Sequence, residues 1–146
     1  MTKARETQVR VLQRKMLRNI VGTSRAGDET YADWMVRATA EAETIRLENG
    51  IPDWVEEIHR RKFSWAGHIA RCQDGRWTHE VLLWAAKGKR SRGRPKTRWA
   101  DSLNKFFRQI HGEDLEVQEG NEFWVTLAND RESWRALEDD FLRFVT

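Results

Sequence analysis

The spacing of apolar residues is the feature that most constrains the fold of this chain. Apolar side chains recur three or four positions apart, which is the period of one face of an α-helix. Five segments share this pattern: 9–20, 31–45, 51–69, 99–110 and 124–144. Alternating patterns typical of β-strands are nearly absent. The sequence therefore predicts an all-α fold, a small bundle of about five helices with an exposed basic loop.

Local signals place the ends of these helices. Glycine and asparagine favour helix ends, aspartate and threonine favour N-caps, and proline is tolerated in a first turn. On this basis the first helix ends at Gly22 and the second runs from an Asp28 cap to Asn49-Gly50. Pro52 lies in the first turn of the third, and Thr97 caps a fourth that opens at Trp99.

Eight tryptophans in 146 residues supply most of the predicted core, because each buries a large area. Five of them fall on the apolar stripes and are expected to be buried: Trp65, Trp84, Trp99, Trp124 and Trp134. Trp77 lies in a predicted turn, where it either joins the core or stacks on an unpaired base. The single cysteine, Cys72, excludes an internal disulfide and fits a reducing, intracellular compartment.

The charge is unevenly distributed. The formal net charge is only +3, yet residues 87–98 carry seven basic side chains and no acid. Residues 113–140 carry ten acids against two arginines. Such asymmetry indicates an anionic partner for the basic segment, unless the acidic segment neutralises it internally. Two glycines and a proline within residues 87–98 predict a loop rather than a helix or strand.

Five phrases occur in one order along the chain and resemble the C-terminal region of non-LTR (LINE-type) retrotransposon reverse transcriptases. They are "RKMLRNIVG" (14–22), "RRKFSWAGHIAR" (60–71), "GRW…VLLW" (75–84), "GKRSRGRPKTRWADSL" (88–103) and "FWVTLANDRESWRAL" (123–137). The resemblance implies one C-terminal domain over 1–146. Its parts are a post-polymerase helix (1–22), a helical core (28–86), a basic loop (87–98) and C-terminal helices (99–144).

The polymerase and endonuclease domains of that family have no counterpart in these residues, so the chain looks like a detached tail. Polymerase chemistry needs two adjacent carboxylates to hold two metal ions. The stretch "YADW" (31–34) contains a single carboxylate and lies in a segment with helical spacing. The stretch "EDDF" (138–141) is expected to be an ordinary exposed helix edge. No serine has a histidine at a motif spacing. The sequence therefore predicts a protein that is not an enzyme and needs no cofactor.

The centre of the basic segment, "SRGRPK", also resembles an AT-hook, which lies in the minor groove of A/T-rich DNA. Gly93 would let the backbone approach and Pro95 would extend it, while Arg92 and Arg94 would lie along the groove. The remaining cations would reach phosphates; they are Lys87, Lys89, Arg90, Lys96 and Arg98. Structured RNA is the other candidate ligand. A nuclear-import signal and an inert solvated loop are the alternatives to nucleic-acid contact.

His59, His68, Cys72 and His79 are candidate metal ligands, since the spacing of His68 and Cys72 places both on one helix face. With a single cysteine we expect instead that His68 packs beside Trp65, that Gly67 allows close helix approach, and that no metal is bound. The predicted function is a nuclear, non-catalytic module that contacts template RNA or target DNA. Its expected partners are DNA or RNA and the remainder of a reverse transcriptase, and no membrane partner is expected. The alternative is a retained retroelement fragment that serves as a structural or protein-interaction subunit.

Overall fold

The computed structural model describes residues 2–72, 77–78, 99–112 and 123–146. Its regular structure consists of seven helices and the helical residues 77–78. The seven helices are α1 (Lys3–Val21), α2 (Tyr31–Glu48), α3 (Trp54–Arg71), α4 (Asp101–His111), α5 (Phe123–Leu127), α6 (Arg131–Ala136) and α7 (Glu138–Val145). No strand occurs in this part of the chain. The predicted all-α class is confirmed. The described residues form two compact units, Met1–Ile58 and His59–Thr146.

The helix ends of the first unit follow the predicted signals in part. Gly22 ends α1 in the left-handed region (φ 70°), and its amide donates to the carbonyl of Arg18. The cap of α2 is Thr30, not the predicted Asp28: Thr30 Oγ1 accepts from the amide of Asp33 and its hydroxyl donates to the Asp33 carboxylate. A reciprocal capping pair satisfies two polar groups at once, which a lone aspartate two residues earlier does not.

The start of α3 also differs from the prediction. Pro52 precedes the helix, and Asp53 caps it by accepting from the amides of Val55 and Glu56 at 2.7 and 3.2 Å. The buried side chain of Gln13 links α1 to the connection between α2 and α3. Its amide group donates to the Pro52 carbonyl at 2.8 Å and accepts from the Trp54 amide at 3.0 Å. One side chain thus satisfies two main-chain groups ahead of the helix.

The apolar stripe predicted for α1 is not the face that packs. The buried residues of α1 are Glu6, Gln13 and Leu17, whereas Leu12, Met16 and Ile20 are exposed. Periodicity identifies an apolar face but does not say what covers it. Here the packed face is partly polar, because the α2–α3 connection needs the hydrogen bonds of Gln13.

The predicted stripe of α3 is rotated by about one residue. Ile58 and Trp65 are exposed, and the buried side chains are Val55, His59, Phe63, Ala66, Ile69 and Ala70. Small residues lie on the buried face because a large indole, that of Trp134, packs there. A Cβ at Gly67 would lie 2.7 Å from Cδ1 and 2.8 Å from Cε2 of that indole, which confirms the predicted close approach.

An aromatic cluster forms the core of the second unit. The Trp134 ring stacks on Phe63 with 4.3 Å between centroids, and Phe107 lies 5.6 Å away. The Nε1 of Trp134 donates a hydrogen bond to the Phe63 carbonyl at 3.2 Å. The other fully buried side chains of this cluster include Trp124, Leu103, Phe106 and Phe141. Burial of Trp124 and Trp134 confirms the sequence prediction for both.

The C-terminal stripe was predicted as one helix, and the chain forms three. After α5 the chain turns, and Asp130 restarts it as the cap of α6, accepting from the amides of Glu132 and Ser133. Leu137 then ends α6 and precedes α7. The fourth predicted helix starts later than expected, at Asp101 with Ala100 at its N-cap position. Thr97, the predicted cap, lies outside the described residues. Turn chemistry accounts for these breaks, since the apolar spacing continues through them.

Replacing Asp53 by alanine is expected to destabilise the first unit by about 0.5–2 kcal/mol, because it removes an N-cap. Burial raises the pKa of Asp53, but the hydrogen bond from Arg10 and the two capping amides outweigh it, so the pKa is lowered. Asp53 therefore stabilises the fold at neutral pH, and that contribution is lost as the pH falls through the lowered pKa. Urea unfolding against pH measures both effects.

The matched control is Asp28→Ala, since Asp28 precedes α2 but does not cap it. Its stability should be within about 0.5 kcal/mol of the parent's, as for ordinary surface changes. A larger cost for Asp28→Ala than for Asp53→Ala would contradict the capping assignment.

Candidate nucleic-acid interface

The residues that the sequence singles out for nucleic-acid contact lie outside the described residues. They are Lys87, Lys89, Arg90, Arg92, Gly93, Arg94, Pro95, Lys96 and Arg98. Trp84 and His79 lie outside them as well. The described chain resumes at Trp99, immediately after the last of these cations. The surroundings of Trp99 are the described part of the chain that lies nearest in sequence to these cations.

Trp99 was predicted to be core, and that prediction is wrong: its side chain is 43% exposed. It lies in a turn ahead of α4, and Lys62 of α3 reaches over it with Nζ 5.2 Å from the ring centroid. The same ammonium donates to Ser102 Oγ at 2.6 Å. The cation–π contact with Trp99 and the hydrogen bond to Ser102 together tie the start of α4 to α3.

Burial lowers the pKa of Lys62, and the charge of Asp101 opposes the shift only in part. The folded state therefore releases this proton at a lower pH than the unfolded state does. Between the two values the unfolded chain binds more protons, so stability rises with pH. We expect Lys62→Met to lack part of the rise seen in the parent just below the ordinary lysine pKa.

Denaturant unfolding of both proteins across that alkaline range isolates the contribution of Lys62, because every other titrating group is shared. Curves that run parallel in parent and variant would contradict a desolvated Lys62. A steeper rise in the variant would contradict it too.

Trp65 is the second tryptophan that the prediction wrongly placed in the core, with 51% of its side chain exposed. It lies one turn beyond Lys62 on α3, and its ring centroid is 5.3 Å from that of His68. The expected packing of His68 beside Trp65 is thus confirmed. Trp77 is helical rather than part of the predicted turn. It is 80% exposed, so the core interpretation is wrong and the stacking one stays a prediction.

Two of the candidate metal ligands, His59 and His68, lie on opposite faces of α3. His59 is buried with an edge against Phe141, whereas His68 is exposed and its Nε2 lies 3.7 Å from Cys72 Sγ. Within the described ranges there is no group of three or more histidine, cysteine or acidic side chains that could hold a metal ion. His59 thus lies apart from the His68–Cys72 pair.

Several motif residues that carry the family resemblance have packing roles. Gly67 of "SWAGHIAR" admits the indole of Trp134 from the "DRESWR" phrase. Arg71 Nη1 donates to the carbonyl of Ala128 at 2.6 Å, and Arg60 pairs with Glu138 at 2.9 Å. These contacts join α3 to the C-terminal helices. These motif residues therefore hold α3 against the C-terminal helices.

The carboxylates considered for polymerase chemistry are engaged in local structure. The stretch 31–34 is the first turn of α2, where Asp33 belongs to the Thr30 capping pair. Glu138 pairs with Arg60 at the start of α7, and Asp140 with Arg143 at 3.1 Å.

In the described part of the chain, no helix has both the length and the hydropathy that crossing a membrane requires.

Comparison with known proteins places the chain near a transposon-derived sequence. The chain is 39% identical over 98 residues, 65% of its own length, to an uncharacterised transposon-derived protein of Caenorhabditis elegans. The chain spans about a third of that relative, 33% of its length. No family model matches the sequence, and no solved structure matches the fold. The similarity is consistent with a transposon origin.

Proposed function

We propose that this protein is a non-catalytic nucleic-acid-binding module of retroelement origin, related to the tail of LINE-type reverse transcriptases. The observation that carries the proposal is the run of seven cations without an acid in residues 87–98. Like charges so closely spaced repel one another, and an anionic polymer such as a nucleic acid neutralises that repulsion. The similarity to a transposon-derived protein supports the same origin.

The surroundings of Trp99 support a role for this segment in binding rather than in packing. The residue that follows the last cation, Trp99, is 43% exposed, and Lys62, which donates to Ser102, lies over its ring. Phosphate contacts by lysine and arginine supply affinity, and contacts to bases supply preference. The proposed ligands are A/T-rich duplex DNA and structured RNA, and the site of action is the nucleus.

Fluorescence anisotropy with labelled A/T-rich duplex, G/C-rich duplex and structured RNA tests this function. The test variant changes Arg92, Arg94, Lys96 and Arg98 to glutamine. The control makes the same change in net charge at four exposed cations elsewhere: Lys3, Arg5, Lys15 and Arg25. The test variant should lose about tenfold or more in affinity, and the control much less. Equal losses would show a diffuse charge effect and contradict the assignment.

A second candidate function, protein interaction, is favoured by the outer face of α1. Leu12, Met16 and Ile20 are 51%, 43% and 77% exposed, and the exposed cations Arg5 and Lys15 flank them. An apolar stripe with basic flanks fits an acidic amphipathic helix of a partner protein. A synthetic helical peptide with leucines flanked by glutamates should bind the parent and not a Leu12→Gln, Met16→Gln variant. Equal binding to both would exclude this face.

A further inference from the structure

An exposed aromatic surface lies on α3 and at the start of α4, and we call it the tryptophan platform. It consists of Lys62, Trp65, His68 and Trp99. Trp65 and Trp99 are 51% and 43% exposed, whereas Trp124 and Trp134 in the same unit are 1% and 2% exposed. Two half-exposed indoles cost solvation free energy unless something covers them in the working state.

The platform combines ring faces with positive charge. Lys62 Nζ lies 5.2 Å from the Trp99 centroid, and the Trp65 ring lies 5.3 Å from His68 at an interplanar angle of 33°. Lys62 and Trp65 are three residues apart on α3, which places both on one side of the helix. The hydrogen bond from Lys62 to Ser102 keeps the ammonium in place at 2.6 Å.

This chemistry selects a narrow class of ligand. A flat π-face suits another flat ring, and the neighbouring ammonium disfavours cationic ligands and favours anionic ones. Unpaired nucleotides carry both a flat base and a phosphate. Base stacking on aromatic side chains is typical of single-strand binding, whereas the bases of a duplex are already stacked on one another.

We propose that the tryptophan platform binds unpaired bases of single-stranded RNA or DNA by stacking on Trp65 and Trp99. The inference rests on the proposed function, since Trp99 directly follows the basic segment in the sequence. A strand whose phosphates contact that segment would continue onto the platform. The platform thereby adds a preference for single strands that phosphate contacts alone do not supply.

The test compares a labelled single-stranded oligonucleotide of about 12 nucleotides with a duplex of the same sequence, by anisotropy, at one salt concentration. The double variant Trp65→Leu, Trp99→Leu removes both π-faces and keeps apolar bulk. A second double variant with phenylalanine at both positions keeps smaller rings. Tyr31→Leu, at an aromatic residue that is 62% exposed in the first unit, is the control. Circular dichroism and thermal melting check that each variant is folded.

The leucine variant should lose about tenfold or more in single-strand affinity and little in duplex affinity. The phenylalanine variant should recover part of the loss, and Tyr31→Leu should match the parent. If the leucine variant does not fold, Trp65→Leu alone decides the question, because Trp65 lies outside the core. Single-strand affinity equal to the parent's would overturn the platform while leaving duplex binding by the basic segment intact. A parent that binds neither oligonucleotide would overturn both proposals.

Discussion

Replacing Trp134 by alanine is expected to destabilise the second unit by about 3–5 kcal/mol, which is the cost of removing a buried aromatic side chain. Trp134 is 2% exposed, stacks on Phe63 and donates to a main-chain carbonyl of α3. Alanine leaves a cavity beside Phe63 and Phe107 and removes the hydrogen bond from the indole to that carbonyl. Chemical unfolding followed by circular dichroism measures the loss.

Trp99→Ala is the matched control for Trp134→Ala. The apolar patterning alone predicts the same cost for both residues, whereas the structure leaves Trp99 43% exposed. Its replacement should cost at most about 1.5 kcal/mol, half the value of a fully buried large side chain. Equal losses for the two variants would contradict the division of the tryptophans into core and surface.

Gly67→Ala tests the same packing from the opposite side. Alanine gains about 1 kcal/mol of helix propensity, but overpacking against the rigid Trp134 ring costs about 1–3 kcal/mol, so net destabilisation is expected. Gly27→Ala is the control, because a Cβ there meets no atom within 4 Å. A stabilised Gly67→Ala variant would show that the indole moves aside.

The second large effect is expected in the basic segment. Changing Arg92 and Arg94 together to alanine should weaken A/T-rich duplex binding by about 1–3 kcal/mol more than changing Lys89 and Arg90 does. The central pair is expected to lie in the minor groove and carry preference, and the flanking pair to contact phosphates only. Titration of both double variants with A/T-rich and G/C-rich duplexes separates the two roles.

Two results would argue against a groove-binding role for the central pair. One is an equal loss from both double variants, and the other is a parent without A/T preference. Either would reduce the segment to a generic polycation, and the AT-hook resemblance would have to be abandoned even though nucleic-acid binding survived.

Apolar spacing predicted which segments are helical far better than it predicted which faces are buried. The stripe of α3 contained Ile58 and Trp65, yet its buried face is lined by Phe63, Ala66 and Ala70. Small residues seldom register as core in a pattern of hydrophobicity. They are buried here because Trp134 needs the space, and this partner is more than sixty residues away in the sequence.

Single side chains that satisfy main-chain groups were the other features that periodicity missed. Gln13 of α1 is buried because it bonds the carbonyl of Pro52 and the amide of Trp54. The three-helix C-terminus depends on the cap at Asp130. Each of these depends on local hydrogen bonding that leaves the apolar spacing unchanged. The cap at Asp130 could have been predicted from the sequence, because aspartate is a preferred N-cap residue whose side chain accepts from amides two and three residues later.

The tryptophan platform could be anticipated only in part. An exposed role was considered for Trp77, whereas Trp65 and Trp99 were assigned to the core because they fall on helical stripes. Their exposure follows from the rotated face of α3 and the late start of α4 at Asp101. Residue spacing alone predicts neither, since both depend on which side chains from other helices pack against α3 and α4.

The salt dependence of binding tests the central claim most directly, because only neutralised phosphates release counterions. If the basic segment contacts about four phosphates, the logarithm of the association constant for duplex DNA should fall against the logarithm of salt concentration with a slope of roughly −3.6. The four-residue glutamine variant of residues 92–98 should show a much shallower slope. A slope near zero in the parent, or the same slope in parent and variant, would contradict nucleic-acid binding through this segment.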